Sequence, residues 1–169
     1  VVYNYQEQAW YYGTLTRSMW IDRGISAYPI AAGLDGYLYY HEFGNDDGSA
    51  NPPSAIASYI ESSPTSMGAG DNFVFLTKLI PDVTFENSSA SSPAVSMTLS
   101  TRPFPGSEYT GTTSSTVTRS ATTPVEQFTN QVFVRLRGRS FSFKIDSSAT
   151  GVGWRLGTPR VDLRPDGQR

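Results

Sequence analysis

The sequence contains no cysteine and a single histidine, His41, among its 169 residues. Without thiols there is no disulfide framework and no thiolate metal site, and one imidazole cannot supply the several ligands that zinc requires. A Ser-His-Asp type of site also needs a histidine as its base. His41 alternates with Tyr39 and Phe43, which is typical of a packed or rim histidine on a strand. The sequence therefore predicts a protein that is not an enzyme and that needs no metal or other cofactor.

Long apolar runs are absent as well: no stretch approaches the roughly 20 residues that span a bilayer, so no membrane partner is expected. Helix signals are nearly absent, because the one stretch long enough to consider, residues 52–60, is interrupted by Ser and Pro.

Three carboxylates, Asp22, Glu42 and Asp82, are candidates for sugar hydrolysis, but nothing in their spacing brings two of them together. Asp46 and Asp47 are interpreted as a solvated acidic turn or as calcium ligands.

The clearest pattern lies in residues 131–169. Val132, Val134 and Leu136 alternate with Arg135 and Arg137, the period of a strand with one buried face and one exposed face. Residues 141–146 alternate in the same way, and the link at residues 138–140 contains Gly, so the pattern predicts a hairpin. Two further short runs, at residues 153–157 and 160–164, complete a predicted C-terminal antiparallel meander.

Residues 1–50 are rich in aromatic side chains and contain short strand-like runs. The turn at residues 34–36 includes Asp35 and Gly36, a pair that suits a tight hairpin. The aromatic residues are interpreted as core, with stacking on sugar rings as the alternative. Overall the sequence predicts an all-β fold: an aromatic-rich meander over residues 1–50, the end of a propeller in one interpretation, and an antiparallel sandwich-like domain over residues 51–169. Residues 44–53 are the predicted linker.

Charge is distributed unevenly along the chain. Residues 1–100 hold three Lys or Arg against ten Asp or Glu, whereas residues 101–169 hold ten against five. Such polarity favours head-to-tail contact between copies or an acidic partner, although two solvated faces would give the same counts. Arg135, Arg137 and Arg139 are the candidate contact residues, for a polyanion or a neighbouring subunit. The alternative is the outer face of a strand, where arginine stems cover apolar surface.

One segment remains open between two interpretations. Residues 110–123 are almost entirely Ser, Thr and Gly, and this composition fits a long mobile loop or a polar hairpin arm. The chain also begins at Val1 and not at Met, which indicates a piece of a longer protein or a processed one.

Several segments resemble virion structural proteins of tailed bacteriophages, of the tail nozzle or packaged-DNA stabilisation kind. The segments are residues 20–24 with 29–42, residues 80–83, and residues 138–139 with 154–157 and 160–167. The resemblance implies the C-terminal region of a large propeller-containing tail protein that works through subunit contacts and has no catalytic residues. It implies copies of the chain in a ring, neighbouring virion proteins, proximity to packaged DNA, and synthesis in the bacterial cytoplasm before assembly into the virion. A carbohydrate-binding β module is the alternative function.

Overall fold

The computed structural model describes residues 1–66, 68–104, 107 and 119–168. These residues form two compact units, Val1–Gly44 and Asn45–Arg169, called here the N-terminal unit and the sandwich unit. Every regular element in the described ranges is a β-strand, and all strand pairs are antiparallel, so the predicted all-β class is confirmed. Within those same ranges no helix has the length and apolar character needed to cross a bilayer.

The N-terminal unit contains two small sheets. They are formed by strands β1 (Val2–Asn4), β2 (Ala9–Tyr11), β3 (Arg17–Ile21), β4 (Ile30–Gly33) and β5 (Leu38–Tyr40). Strands β1 and β2 pair as a hairpin, and the other three form a sheet in the order β3-β4-β5. The predicted hairpin turn between β4 and β5 is confirmed: Gly36 has φ +86°, and the Asp35 carboxylate accepts hydrogen bonds from the Tyr37 N–H and the Tyr39 hydroxyl. A positive φ favours glycine at this position.

The sandwich unit contains the longer strands. They are β6 (Asp46–Asp47), β7 (Ser54–Ala55), β8 (Ser58–Glu61), β9 (Thr65–Ser66), β10 (Val74–Ile80), β11 (Val83–Thr84), β12 (Ala94–Arg102), β13 (Ser120–Glu126), β14 (Val132–Gly138), β15 (Ser140–Ser147), β16 (Arg155–Leu156) and β17 (Arg160–Pro165). A three-stranded sheet has the order β14-β10-β17, and a five-stranded sheet has the order β13-β12-β15-β8, with β9 also paired to β15.

The core of the sandwich unit is the layer of side chains between these two sheets. Leu76 and Leu136 come from the three-stranded sheet, and Met97, Leu99 and Ile145 come from the five-stranded sheet. Each of them is almost completely buried. The alternation predicted for β14 is confirmed, because Val132, Val134 and Leu136 face this core and the residues between them are exposed. The arrangement is a β-sandwich in which each sheet contributes one apolar face.

The predicted hairpin between residues 131–137 and 141–146 is wrong. Strand β14 pairs with β10 in one sheet, whereas β15 pairs with β12 and β8 in the other, so the chain changes sheet at Arg139. A single residue between two strands is shorter than the two-residue turns that close the tightest common hairpins. The predicted C-terminal meander is also wrong, because β16 pairs with β11 and β17 pairs with β10.

Two short strand pairs complete the sandwich unit. Part of the predicted linker is ordered as β6, which pairs with β7, and the Asp46 carboxylate accepts a hydrogen bond of 2.6 Å from the Gly151 N–H. Pro81 lies between two strands, because β10 ends at Ile80 and β11 begins at Val83 with a different partner. In the Ser- and Thr-rich segment, Ser120 begins β13, and the prediction for residues 110–118 lies outside the described residues.

Candidate functional site

The N-terminal unit has almost no interior. Only Pro29 and Ala31 are buried among its 44 residues. Eighteen of its large apolar side chains are exposed, against seven in the described part of the sandwich unit. The interpretation of the N-terminal aromatic residues as core is therefore wrong. Aromatic side chains are buried when a sheet packs against a second layer. The strands of this unit have three to five residues and form two- and three-stranded sheets, and they have no second layer to pack against within the unit.

Ten of the exposed side chains in this unit are aromatic. They are Tyr3, Tyr5, Trp10, Tyr11, Tyr12, Trp20, Tyr28, Tyr37, Tyr40 and Phe43, with exposed fractions from 38% to 77%. These ten residues are called the aromatic surface below. Several of its rings contact one another locally: Tyr3 and Trp10 have centroids 4.7 Å apart, and Tyr28 lies 5.0 Å from Phe43 in an edge-to-face arrangement. Such pairs hold the rings in place without removing them from water.

A shallow cavity lies within the aromatic surface. It has a volume of about 530 Å³ and is lined by Tyr28, Tyr40 and Phe43 together with Ser26 and Ala27. Tyr28 contacts both other rings edge-on, at 6.2 Å from Tyr40 and 5.0 Å from Phe43. The lining is aromatic on one side and holds few polar groups, a composition that suits a flat apolar ring or an apolar side chain of a partner.

His41 belongs to a hydrogen-bonded cluster in the same unit. The Arg17 Nε donates to the His41 Nε2 at 3.1 Å, and the imidazole lies against Trp20 with a centroid distance of 4.6 Å. Burial, together with the nearby Arg17 charge, lowers the pKa of His41 from its ordinary value. The acceptor nitrogen is thus occupied by a guanidinium and not by a nucleophile, an arrangement that positions the ring and does not provide a general base.

Two of the three carboxylates singled out in the sequence contact the same residue, Arg23, and the third lies in the sandwich unit. Glu42 forms an ion pair with Arg23 at 3.3 Å, and Asp22 accepts a hydrogen bond from the Arg23 N–H at 2.7 Å. Asp82, in the sandwich unit, accepts from the Thr158 N–H at 2.7 Å. Over the residues that the structure describes, no three histidine or acidic side chains come together as a metal-binding group.

The acidic pair at residues 46 and 47 lies on β6, and each carboxylate accepts a hydrogen bond from a backbone N–H. Asp46 Oδ1 accepts from the Gly151 N–H, which is distant in sequence, and Asp47 Oδ1 accepts from the nearby Ser49 N–H at 2.9 Å. Only the Asp47 contact is the local kind that acidic residues form at turns.

The three candidate arginines lie in the sandwich unit at the outer side of β14 and at its end. Arg135 and Arg137 are exposed on the strand, as the alternation predicted, and Arg139 is half-buried at the change of sheet. Arg137 and Arg139 both lie over the ring of Phe73, at 4.1 and 4.9 Å. Arg139 also donates to the Gln168 carbonyl at 3.2 Å. The structure thus gathers Arg137 and Arg139 around one ring and leaves Arg135 separately exposed.

The strand register adds residues that sequence reasoning missed. Residues paired across antiparallel strands share a face. Phe75 pairs with Arg137 and Arg164, Lys78 pairs with Phe133 and Asp162, and Ile80 pairs with Arg160.

The outer face of the β14-β10-β17 sheet is called the basic face below. Its charged members are Lys78, Arg135, Arg137, Arg160 and Arg164, with Asp162 and Asp166. Alternation in each strand indicates which residues face outward, but only the pairing of distant strands brings them together.

Two of the five cations on the basic face are neutralised by carboxylates. Arg137 forms an ion pair with Asp166, and Arg164 lies 3.8 Å from Asp162. In the described part of the chain, Lys78, Arg135 and Arg160 have no carboxylate within ion-pair distance. The face therefore has a net charge of +3, concentrated on these unpaired side chains.

Comparison with known proteins adds no relative: no protein-family model matches the chain, and no curated protein matches it significantly. The function is therefore argued from the two surfaces alone.

Proposed function

We propose that this chain is a structural subunit that assembles with copies of itself and with neighbouring proteins, and that the N-terminal unit is its principal contact region. The observation that carries the proposal is the exposure of eighteen large apolar side chains in a unit with two buried residues. A unit of this size lacks the core that holds small domains together, and chains of roughly 40 residues are usually stabilised by disulfides, metals or association. The sequence has no cysteine for a disulfide, so we propose that contact with further polypeptide covers these side chains.

The exposed area is large enough for a specific interface. Ten aromatic side chains of about 200 Å² each, at a mean exposure of 60%, leave on the order of 1,000 Å² of aromatic surface in water. A standard interface buries about 800 Å² on each partner, whereas the largest apolar patch of a typical monomer covers about 300–600 Å². The total area therefore matches one standard interface, but it is divided over opposite faces: Trp20 pairs with Ala31 and Tyr40 pairs with Ile30, so these two rings lie on different sides of the β3-β4-β5 sheet. Contacts on more than one side of the unit would be needed to cover all ten rings.

The charge difference between the two halves of the sequence does not separate the two units. The N-terminal unit has two Arg against four Asp or Glu, and the sandwich unit has eleven Lys or Arg against eleven Asp or Glu. The positive charge is instead collected on the basic face of the sandwich unit, which an acidic surface of a neighbouring subunit would complement. Assembly of this kind also fits the resemblance to tailed-bacteriophage virion proteins. We place the subunit on that basis in a phage tail, beside other virion proteins and near packaged DNA.

The proposal is tested by sedimentation velocity of the full chain over a range of concentrations. Ile25 and Leu34 lie in turns outside the strands and are fully or largely exposed, so the Ile25→Ser/Leu34→Ser variant removes apolar anchors and leaves the strand pairs in place. Phe128→Ser is the matched control, because Phe128 is 86% exposed in the sandwich unit. We expect the parent chain and the control to associate at concentrations at which the double variant remains monomeric.

A second test addresses the virion directly. Purified phage particles are labelled with an antibody against the chain and examined by negative-stain electron microscopy. We expect label at the tail of each particle. A chain that remains monomeric at every concentration and is absent from the particles would overturn the proposal.

A carbohydrate-binding function is the second candidate, and the cavity formed by Tyr28, Tyr40 and Phe43 favours it. Exposed aromatic rings stack on the apolar faces of sugars. A glycan array with the parent chain and the Tyr40→Ala variant tests this function. Binding that is lost in the variant would support it, and no binding to any sugar would exclude it in favour of assembly.

A further inference from the structure

The basic face of the sandwich unit combines unpaired positive charge with exposed aromatic rings. Phe133 is 72% exposed on β14, an edge strand of this charged surface, although a buried phenyl side chain is more stable than an exposed one by about 1.5–3 kcal/mol. Phe75, on the neighbouring strand, is half-buried on the same face. An exposed phenyl ring that pairs with Lys78 and lies two residues from Arg135 on the same strand does not serve the core of this sandwich, which lies on the opposite side of the sheet.

A shallow cavity of about 500 Å³ joins these features. It is lined by Phe75, Thr77, Phe133, Val134 and Arg135. Thr77 lies where the register shifts on both sides of β10: two residues of β14, Val134 and Arg135, lie opposite it, and β17 has no residue between the partners of Leu76 and Lys78. The cavity therefore has a phenyl ring from each of two strands and an unpaired guanidinium in its lining.

We propose that the basic face binds single-stranded nucleic acid, with phosphates on the unpaired cations and unpaired bases on the phenylalanine rings. Lys78, Arg135 and Arg160 supply charge that is not already neutralised within the chain. Phe133 and Phe75 supply faces on which any base can stack, a combination of groove charge and aromatic rings that characterises sequence-independent binding of single strands. The proposal concerns the sandwich unit alone and does not depend on assembly through the aromatic surface.

The acidic side chains on this face are already engaged. Asp162 accepts a hydrogen bond of 2.9 Å from the Thr77 hydroxyl and lies 3.8 Å from the Arg164 guanidinium. Asp166 pairs with Arg137, which also lies over Phe73. Both carboxylates are thus compensated by nearby cations, and the remaining field over the cavity is positive. A base-bearing polyanion fits this field better than a neutral ligand does.

Fluorescence anisotropy with a labelled oligothymidylate and the full chain tests the proposal. Two further probes separate charge from stacking: an abasic phosphodiester oligomer of equal length, and inorganic polyphosphate. We expect oligothymidylate to bind more tightly than either, because only it offers bases to the phenyl rings. Phe133→Ala should weaken its binding by between about fivefold and a hundredfold, the usual range for loss of one base–aromatic stack.

Arg135→Ala provides an independent measurement through the salt dependence. Removal of one phosphate contact should reduce the slope of log affinity against log salt by about 0.7 for a single strand. The matched controls are Phe128→Ala, an exposed phenyl residue outside the basic face, and Arg155→Ala, an exposed arginine on β16 that lies 4.0 Å from Glu86. Both controls should bind as the parent chain does, and circular dichroism should show that all four variants are folded.

Three results would overturn the proposal. The first is no anisotropy change with oligothymidylate, and the second is equal affinity for the abasic oligomer or for polyphosphate. The third is that Phe133→Ala and Arg135→Ala bind as their controls do. If the two variants alter sedimentation of the chain and leave oligothymidylate binding unchanged, the basic face is a protein interface and the proposal is wrong.

Discussion

Replacement of Gly138 by Ala should destabilise the sandwich unit, because this glycine lies where the chain passes from one sheet to the other. A Cβ atom at this position would lie 2.7 Å from the Thr101 Cβ and 2.8 Å from the Arg102 carbonyl oxygen. Both neighbours belong to β12 in the opposite sheet. The Arg102 carbonyl also accepts the Arg139 N–H at 2.7 Å, so it cannot move away without loss of that hydrogen bond.

Two opposing terms determine the size of the effect. Alanine restricts the unfolded chain more than glycine does and would stabilise the native state by about 0.4–1 kcal/mol if it fitted without strain. Overpacking of a tight contact costs about 1–3 kcal/mol, and loss of the Arg139 hydrogen bond adds about 1 kcal/mol. The steric terms are larger, so we expect a net loss of about 1–3 kcal/mol in the free energy of unfolding.

Urea unfolding followed by the fluorescence of Trp154 measures this change. Trp154 packs against the sandwich core, and its indole N–H donates to the Ser58 hydroxyl at 3.1 Å. Replacement of Trp10 and Trp20 by Phe leaves Trp154 as the only tryptophan of the three in the sequence, so the signal comes from this unit alone.

Gly48→Ala is the matched control, because a Cβ at that position has nothing within 4 Å. It should leave the free energy of unfolding unchanged or slightly increased. A Gly138→Ala variant as stable as Gly48→Ala would show that the sheets are not in close contact at this crossing, and the reasoning would be refuted.

Three further predictions concern other parts of the chain. Because the sequence has a single histidine, NMR can follow the titration of His41, and its midpoint should lie below 6.5 since the pKa is lowered in the folded state. The midpoint should rise in the Arg17→Ala variant, which removes the Arg17–His41 hydrogen bond. A midpoint at or above 6.5 in the parent chain would contradict that contact. Since the folded form then binds fewer protons than the unfolded form, the N-terminal unit should lose stability as the pH falls below about 6.5, and thermal unfolding at several pH values measures this. Leu136→Ala, at a residue 1% exposed, should cost about 2–5 kcal/mol in urea unfolding, and a smaller loss would mean that the site collapses around the cavity. Asp46→Ala should accelerate hydrogen exchange at the Gly151 amide, and an unchanged exchange rate would show that this bond is not maintained in solution.

The sequence was sufficient for the class of fold and for the orientation of individual strands. Alternation in residues 132–137 indicated which side of β14 is buried, and the Asp35–Gly36 pair indicated a turn, because both signals arise from neighbouring residues. Pairing partners could not be obtained in the same way. Apolar and polar residues alternate with a period of two whether a strand pairs with the next strand in sequence or with a distant one. The change of sheet at Arg139 therefore could not be predicted from the alternation.

The candidate sites show the same division between local and distant information. Arg135 and Arg137 were placed on an outer face from sequence, whereas Lys78, Arg160 and Phe75 join them only through the pairing of β10 with β14 and β17. The exposure of the N-terminal aromatic residues could not be predicted from the sequence either. An apolar side chain that faces a core and one that faces a partner give the same pattern, since burial depends on whether a second layer is present.

The two surfaces of this chain differ in how much structure supports them, and this difference bears on their roles. The basic face lies on a sheet whose other side is a packed core, so the strands that carry its side chains are held in place without a ligand. The aromatic surface lies on short strands in a unit with two buried residues, and under our proposal contact with further polypeptide stabilises that unit. A preformed face suits reversible binding of a polyanion, whereas a surface that is stabilised when covered suits lasting assembly. Under the proposed function, the sandwich is the folded scaffold and the N-terminal unit is the region whose folding is coupled to association.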